Sequence, residues 1–357
     1  MAEMAPKVSI MILNYNGIEW LQRCISSITK TDYPNFDVYL VDNGSTDKSL
    51  DFVRTNFSWV KIIHYPYNLG FSKAYNKAIE TTKADYIVLL NNDTEILEKN
   101  WIVDLVEWAK KDENIAAVTC KLVSMTEKPY IDSVGGIGIP FWRGFVDIGR
   151  NELDQGQYDD ENFEPFSFCG GAALIKRALF LRLGGFDEKF YMYVEDVDLS
   201  WRFRLLKYKI ALASNAKVAH YFSGSSRDEA AEARRFYFCH KNLLRAILKN
   251  CGHSLRWALK NYILFSIFLL IGYGFLEPRK AIAVAKTIEW NLKNFKDTYS
   301  RRLRIQSSRK EDERIILERM YSRIKRYQPA ERPKLRKILN ILFEHSKSQT
   351  KQRVHTS

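Results

Sequence analysis

The chain opens on Val8-Ser-Ile-Met-Ile-Leu-Asn14, a nearly continuous apolar run of strand length. A Tyr15-Asn16-Gly17 turn follows, then apolar positions at helical spacing from Glu19 to Thr29. The same unit recurs. The pattern predicts strands at Phe36 to Val41, Val60 to His64 and Tyr86 to Leu90, and helices at Asp47 to Asn56, Ser72 to Thr82 and Asn100 to Lys111. A further strand is expected at Ala116 to Leu122. Strands alternating with helices at these spacings imply right-handed crossovers and a mostly parallel sheet covered on both faces. Ligands in such sheets bind beyond the C-terminal strand ends, where Asn14 with the adjoining Tyr15, Asp42, and Asn91 to Asp93 fall.

The regularity fails from Ser124 to Phe168, where glycines, aromatics and acids concentrate, including Phe141-Trp142-Arg143-Gly144 and Tyr158-Asp159-Asp160-Glu161. Long loops inside compact domains are commonly functional, and this one is read as acceptor-facing. Gly170 to Ile175 resumes a strand, Lys176 to Leu183 a helix, and Gly184-Gly185 ends it. Beyond it, Glu195 and Asp196 stand at the start of an expected amphipathic helix, and His220 follows the apolar strand Lys217 to Ala219 and precedes the turn Ser223 to Ser226.

At 357 residues the chain suits one large catalytic domain with an appendage. Its net charge of +13 is uneven: residues 241–357 hold 27 Lys+Arg against 9 Asp+Glu, whereas the preceding residues hold 28 against 33. The basic character belongs to the C-terminal part, which argues for a separate role there. Five widely spaced cysteines without a Cys-x-x-Cys pair suggest neither a disulfide framework nor a zinc site. The first residues lack the apolar core of a signal peptide, so a cytoplasmic location is expected.

Each polar cluster has a structural and a chemical reading. Asp42 in Asp42-Asn43-Gly44-Ser45 is a turn and helix cap, or an acceptor for nucleobase N–H and ribose hydroxyl groups. Asn68-Leu69-Gly70, leading to Asn76, is an ordinary turn and cap, or a backbone that comes close to an anion at a helix start. Asn91-Asn92-Asp93 is a polar strand terminus, or part of an oxygen-rich site for a hard cation. Glu195-Asp196 is an acidic first helical turn, or a carboxylate held in direction for general-base work.

Together and in this order, these segments resemble an inverting family-2 glycosyltransferase, closest to the rhamnosyltransferase-like branch, over roughly Val8 to Arg245. The resemblance implies the α/β GT-A fold, with an α-helical, partly apolar and basic C-terminal extension. It implies a nucleotide-sugar donor, a saccharide acceptor, and Asp196 as the base with Glu195 supporting it. It also implies donor contacts from Asp42, the Asn68 to Asn76 stretch, Asn91, Asn92, Gly170 and Gly171. Asp93 and His220, with the Asn91 carbonyl oxygen, then hold a divalent metal, Mn²⁺ or Mg²⁺. One departure stands out: Asn91 replaces the first acid of the family's Asp-x-Asp motif, leaving one less charge for the cation. That substitution motivates an alternative, a catalytically weak sugar-nucleotide-binding or scaffold protein.

Residues 1–245 are thus expected to form the catalytic domain, 246–296 an apolar helical segment, and 297–357 a basic helical extension. The run Asn261 to Leu276 carries no charge and is flanked by Arg256, Lys260, Arg279 and Lys280. It is short for a full crossing, which needs about 20 apolar residues, so an interfacial or re-entrant helix is preferred, with a tilted monotopic insertion as the variant of that reading. The competing reading is a helix buried on the catalytic domain or in a homo-oligomer interface. A lipid-linked acceptor at the cytoplasmic face of the membrane fits the first reading. Nucleic acid is excluded as a partner, because the tail lacks an aromatic-interleaved reader motif and the catalytic half is acidic.

Overall fold

The computed structural model describes residues 4–124, 128–139, 143–221 and 229–321. Phe141, Trp142, the Ser223 to Ser226 turn and residues 322–357 lie outside them. The expected alternation runs as β1 (Val8–Asn14), α1 (Ile18–Ile28), β2 (Phe36–Asp42), α2 (Ser49–Asn56), β3 (Lys61–His64), α3 (Phe71–Glu80) and β4 (Tyr86–Asn91). A short β5 (Thr94–Ile96) precedes α4 (Trp101–Lys111) and β6 (Ile115–Ser124). Strands β1 and β4 are nearly continuous apolar runs because both their faces are covered. Ile10 and Ile12 join one core cluster while Met11 joins the opposite one, and Val88 and Leu89 divide likewise. Burial of each such side chain contributes roughly 1.5–3 kcal/mol.

With β10 at Ala172–Lys176 and β11 at Lys209–His220, the sheet order is β3-β2-β1-β4-β10-β6-β11-β5. Its first half is parallel, with Asn14 opposite Asp42 and Leu13 opposite Asn91, so these polar residues end the strands at one edge. The second half is mixed. Strand β10 (Ala172–Lys176) runs antiparallel between β4 and β6, and β11 (Lys209–His220) lies parallel to β6. This last strand is far longer than the Lys217 to Ala219 expected; a register shift between Ala213 and Lys217 breaks its pattern.

The segment after β6 is more ordered than a loop. It contains β7 (Ile131–Ser133) paired with β6, a hairpin of β8 (Gly136–Ile139) and β9 (Gly144–Asp147), and its own apolar cluster around Ile131, Ile148, Tyr158 and Phe163. Lys121, fully buried, anchors it through Asp154 at 2.9 Å.

Seven helices complete the described chain: α5 (Arg177–Arg182), α6 (Glu195–Leu205), α7 (Glu229–Asn250), α8 (Leu255–Leu276), α9 (Pro278–Lys293), α10 (Phe295–Ser307) and α11 (Glu313–Tyr321). Helix α6 is not amphipathic as expected. Leu199 and Phe203 pack toward the sheet, while Val197, Trp201 and Leu205 pack against Leu243, Ile247, Tyr262 and Ile316 of the C-terminal helices. A helix covered on both sides shows no polar stripe. The boundary expected at Arg245 accordingly falls inside α7, with Arg245 itself fully buried.

Helix α8 outruns the uncharged stretch that predicted it. Its 22 residues span about 33 Å, and Leu255–Tyr273 is long and apolar enough to cross a membrane. Ile263, Leu264, Ile267, Phe268 and Ile271 are exposed along it.

Candidate active site

The backbone leading to the carboxylate pair is strained. Tyr191, Tyr193 and Val194 all have positive φ, at 68°, 67° and 69°, a conformation that costs a non-glycine residue of order 1–3 kcal/mol. Helix α7 holds it. Asn242 Nδ2 donates to the carbonyls of Phe190, Met192 and Tyr193 at 3.1, 2.8 and 2.7 Å, and Lys241 Nζ donates to that of Lys189 at 2.9 Å. The residues that aim the pair therefore lie far along the chain from it. No motif or periodicity marks them.

Immediately beyond, Asp196 Oδ2 accepts from Gly170 N–H at 3.0 Å and Oδ1 from Val197 N–H at 2.8 Å, which fixes the carboxylate in direction. Burial raises its pKa to about 6, against those two hydrogen bonds. Glu195 is buried, its Oε2 has no hydrogen-bond partner, and desolvation and then the neighbouring Asp196 charge push its pKa well above the usual range. Two adjacent carboxyls without a cation beside them do not both ionise readily. Asp196 is the more exposed of the two.

Gly170 and Gly171 connect this pair to the strand ends. A Cβ on Gly170 would sit 3.5 Å from Asp196 Oδ2, and one on Gly171 would sit 3.4 Å from Asn91 Nδ2. Asn91 N–H also donates to the Gly171 carbonyl at 2.9 Å. Asn92 turns inward, donating to Asn14 Oδ1 at 2.7 Å, and Asn14 Nδ2 donates in turn to Ser45 Oγ at 3.1 Å. Tyr15, half-exposed, stands at the same edge.

Asp42 and Asn76, both expected at the donor, each have protein partners. Asp42 is fully buried, with His64 Nδ1 at 2.9 Å and Ser45 N–H at 3.2 Å on the same oxygen. His64 had no role in the sequence reading, although it pairs in register with Asp42 across β2 and β3. Asn76 also clamps backbone: its Nδ2 donates to the Phe186 carbonyl at 2.9 Å and its Oδ1 accepts from the Phe186 N–H at 2.8 Å. Asn68 Oδ1 accepts from Gly70 N–H and from Asn43 Nδ2, so the buried Asn43 secures this loop. Gly70 has φ 79° and its Cβ position lies 2.4 Å from the Tyr191 ring. The glycine is needed to seat the strained segment.

At the far side of the edge, His220 ends β11 with Nε2 3.3 Å from Asp93 Oδ1 and Nδ1 2.7 Å from Asp132 Oδ2. Burial alone would lower the imidazole pKa, but the two carboxylates raise it to about 9. Two ligands of one octahedral cation lie about 3 Å apart, and a carboxylate on Nδ1 commonly leaves Nε2 free to ligate. Asp93 and His220 therefore fit a divalent cation, with Asp132 orienting the ring. Among the described residues no group of three His, Cys, Asp or Glu side chains converges, so further positions would fall to oxygens such as Asn91, substrate phosphate or water. Asp132 lay in the irregular segment, where spacing carries no information about partners.

This strand order, with helices on both faces of the sheet, is that of the GT-A fold. Residues 9–184 match the family model for Glycosyl transferase family 2, and the chain carries a domain of that family. It is 27% identical over 249 residues to the O-antigen biosynthesis protein RfbC of Myxococcus xanthus, covering 63% of this chain but only 18% of that protein. It is also 25% identical over 314 residues to the N-acetylglucosaminyl-diphospho-decaprenol L-rhamnosyltransferase of Mycobacterium tuberculosis, covering 78% of this chain and 97% of that one. Among solved structures, the mannosyltransferase PcManGT of Pyrobaculum calidifontis, in complex with GDP-Man and Mn²⁺, superposes with a TM-score of 0.52 at 17% identity, covering 89% and 88% of the two chains. S. aureus TarS 1-349 with UDP-GlcNAc gives 0.52 at 16%, covering 79% and 81%.

Proposed function

We propose that this protein transfers a sugar from a nucleotide-diphosphate donor to a hydroxyl of a saccharide acceptor, with inversion at the anomeric carbon. The observation that carries the reading is the fixed, partly exposed Asp196 carboxylate, tied through Gly170 and Gly171 to the strand end that bears Asn91. Asp196 accepts the acceptor hydroxyl proton as its oxygen attacks, and a single displacement needs no covalent intermediate. Glu195 orients the acceptor beside it. Asn14, Tyr15, Asp42, Asn68, Gly70, Asn92, Gly170 and Gly171 shape the donor pocket, directly or through one another. Asp93 and His220, supported by the Asn91 carbonyl, would hold Mn²⁺ or Mg²⁺, which supplies positive charge against the departing diphosphate.

A lipid-linked saccharide acceptor at the cytoplasmic face of a membrane is supported by the exposed apolar face of α8 and by the decaprenol-linked substrate in one relative's name. The catalytic region of residues 1–245 would then work with helices beyond it that cover α6.

The test is a screen of nucleotide sugars with the full chain and Mn²⁺. One donor should raise the melting temperature, by mass action on the folded state, and yield glycosylated lipid-linked product. A donor that binds without transfer to any acceptor would favour the non-catalytic alternative, and turnover unaffected by excess chelator would remove the metal from the scheme.

A further inference from the structure

At the opposite end of α6 from the carboxylate pair, a cleft of about 790 Å³ opens between the C-terminal ends of α5 and α6 and the end of α10. The 11 residues of α6 place it about 16 Å from the pair. Seven cationic side chains line it, against a single acid, Asp187.

Two of the seven have structural work. Arg202 Nε donates to Asp198 at 3.0 Å and its Nη1 to the Leu183 carbonyl at 3.0 Å, while Lys249 contacts Asp187 at 2.6 Å and Asp198 at 3.0 Å. The others are not so satisfied. Arg301 Nε and Arg309 Nε and Nη2 are shielded from solvent without a hydrogen-bond partner. Their nearest carboxylates, Asp297 at 3.5 Å and Glu313 at 3.9 Å, are already engaged by Arg245 and by Ser254. Among the described residues, Arg182 donates only to the neutral Tyr208 hydroxyl, at 2.7 Å. Arg304 and Lys310 are exposed and form no ion pair among the described residues.

Three helix C-termini meet here and favour cations, each with about half a negative charge. Even with Asp187, Asp198, Asp297 and Glu313 added, the seven cations are not balanced. Buried guanidinium N–H groups left without acceptors are costly, and an oxyanion would supply acceptors.

We infer that this cleft is a second ligand site, separate from the donor pocket, that takes a phosphate-bearing anion. The anion is either a soluble di- or polyphosphate or the headgroup of an anionic lipid. Tyr208, Leu205 and Ile305 in its wall suit a ligand with an apolar part.

The experiment uses the full chain in excess chelator, with inorganic pyrophosphate as the calorimetric probe. Wild type binds, and Arg304→Glu/Lys310→Glu binds at least ten-fold more weakly. Both exchanged residues are exposed, so the melting temperature without ligand should be unchanged. A second arm measures flotation with phosphatidylcholine vesicles, with and without phosphatidic acid. The same charge reversal at the exposed Lys30→Glu/Lys77→Glu serves as control. Loss of pyrophosphate binding alone assigns a soluble ligand, and loss of phosphatidic-acid binding, beyond the control, assigns a headgroup. Equal behaviour of the cleft variant and the control in both arms overturns the site.

Discussion

Asp187 and Asp198 bracket Glu195 and Asp196 in the sequence, yet the protein treats the two pairs in opposite ways. Asp187 contacts Arg245 at 2.8 Å and Lys249 at 2.6 Å; Asp198 contacts Arg202 and Lys249, each at 3.0 Å. Burial alone would raise both, but these cations hold both carboxyls below the usual range. Glu195 and Asp196 sit on the same helix with no cation among their hydrogen-bond partners, and burial lifts both above that range. On the proposed mechanism, the difference separates scaffold from chemistry. A carboxylate locked by cations joins α6 to α7 and cannot take a proton at neutral pH, whereas one left without a cation beside a polar sheet edge can.

The largest effect expected from breaking this contrast is catalytic. Asp196→Asn keeps the shape of the carboxylate but removes the proton acceptor, so transfer should fall on the order of a hundred- to ten-thousand-fold while donor binding persists. Single-turnover transfer beside calorimetric donor binding checks this, and near-normal transfer would take Asp196 out of the role.

The next effect is on stability. Asp187→Asn leaves Arg245 and Lys249 under-compensated in the interior, and breaking a buried ion pair costs about 3–5 kcal/mol. The native carboxyl is depressed, so its stabilising contribution is present above the ordinary carboxylate range and is lost as pH falls through the folded value. The penalty measured by denaturant unfolding should therefore be full at neutral pH and shrink in strong acid.

Asn242→Ala probes the link between the two regions. It releases three carbonyls of the strained segment without touching either pair, and misplacement of a catalytic group by about 1 Å costs on the order of a hundred-fold. Transfer should drop by up to that factor with the acid limb of the pH profile unmoved. A shifted limb would mean that Asn242 tunes Asp196 rather than positioning it.

The smallest effect is a gain. Glu195 is raised, so wild type loses stability as pH climbs from the ordinary carboxylate range toward the folded value. Glu195→Gln carries no charge at any pH. Its melting temperature should match wild type in mild acid and exceed it by a few degrees at pH of about 8.

The first half of the fold was legible because strands covered on both faces read as continuous apolar runs, as Val8–Asn14 and Tyr86–Asn91 do. Strand β11 was legible only at its end, since Ser214 and Asn215 interrupt it where its register shifts. The polar strand ends declared themselves by following those runs. Asn242, Lys241 and Asp132 did not, because their partners are backbone carbonyls or a histidine distant in sequence. The Asn76 bond to Phe186 was hidden for the same reason: from sequence, an amide near a helix start looks alike whether it faces a ligand or backbone.

The most direct measurement is the carboxyl ¹³C titration of Asp and Glu, assigned through Asp196→Asn, Glu195→Gln and Asp187→Asn. The account predicts that Asp196 titrates near pH 6 and Glu195 above its ordinary range, while Asp187 stays ionised throughout. Ordinary titration of Asp196 and Glu195 near pH of about 4, indistinguishable from exposed carboxylates, would contradict it.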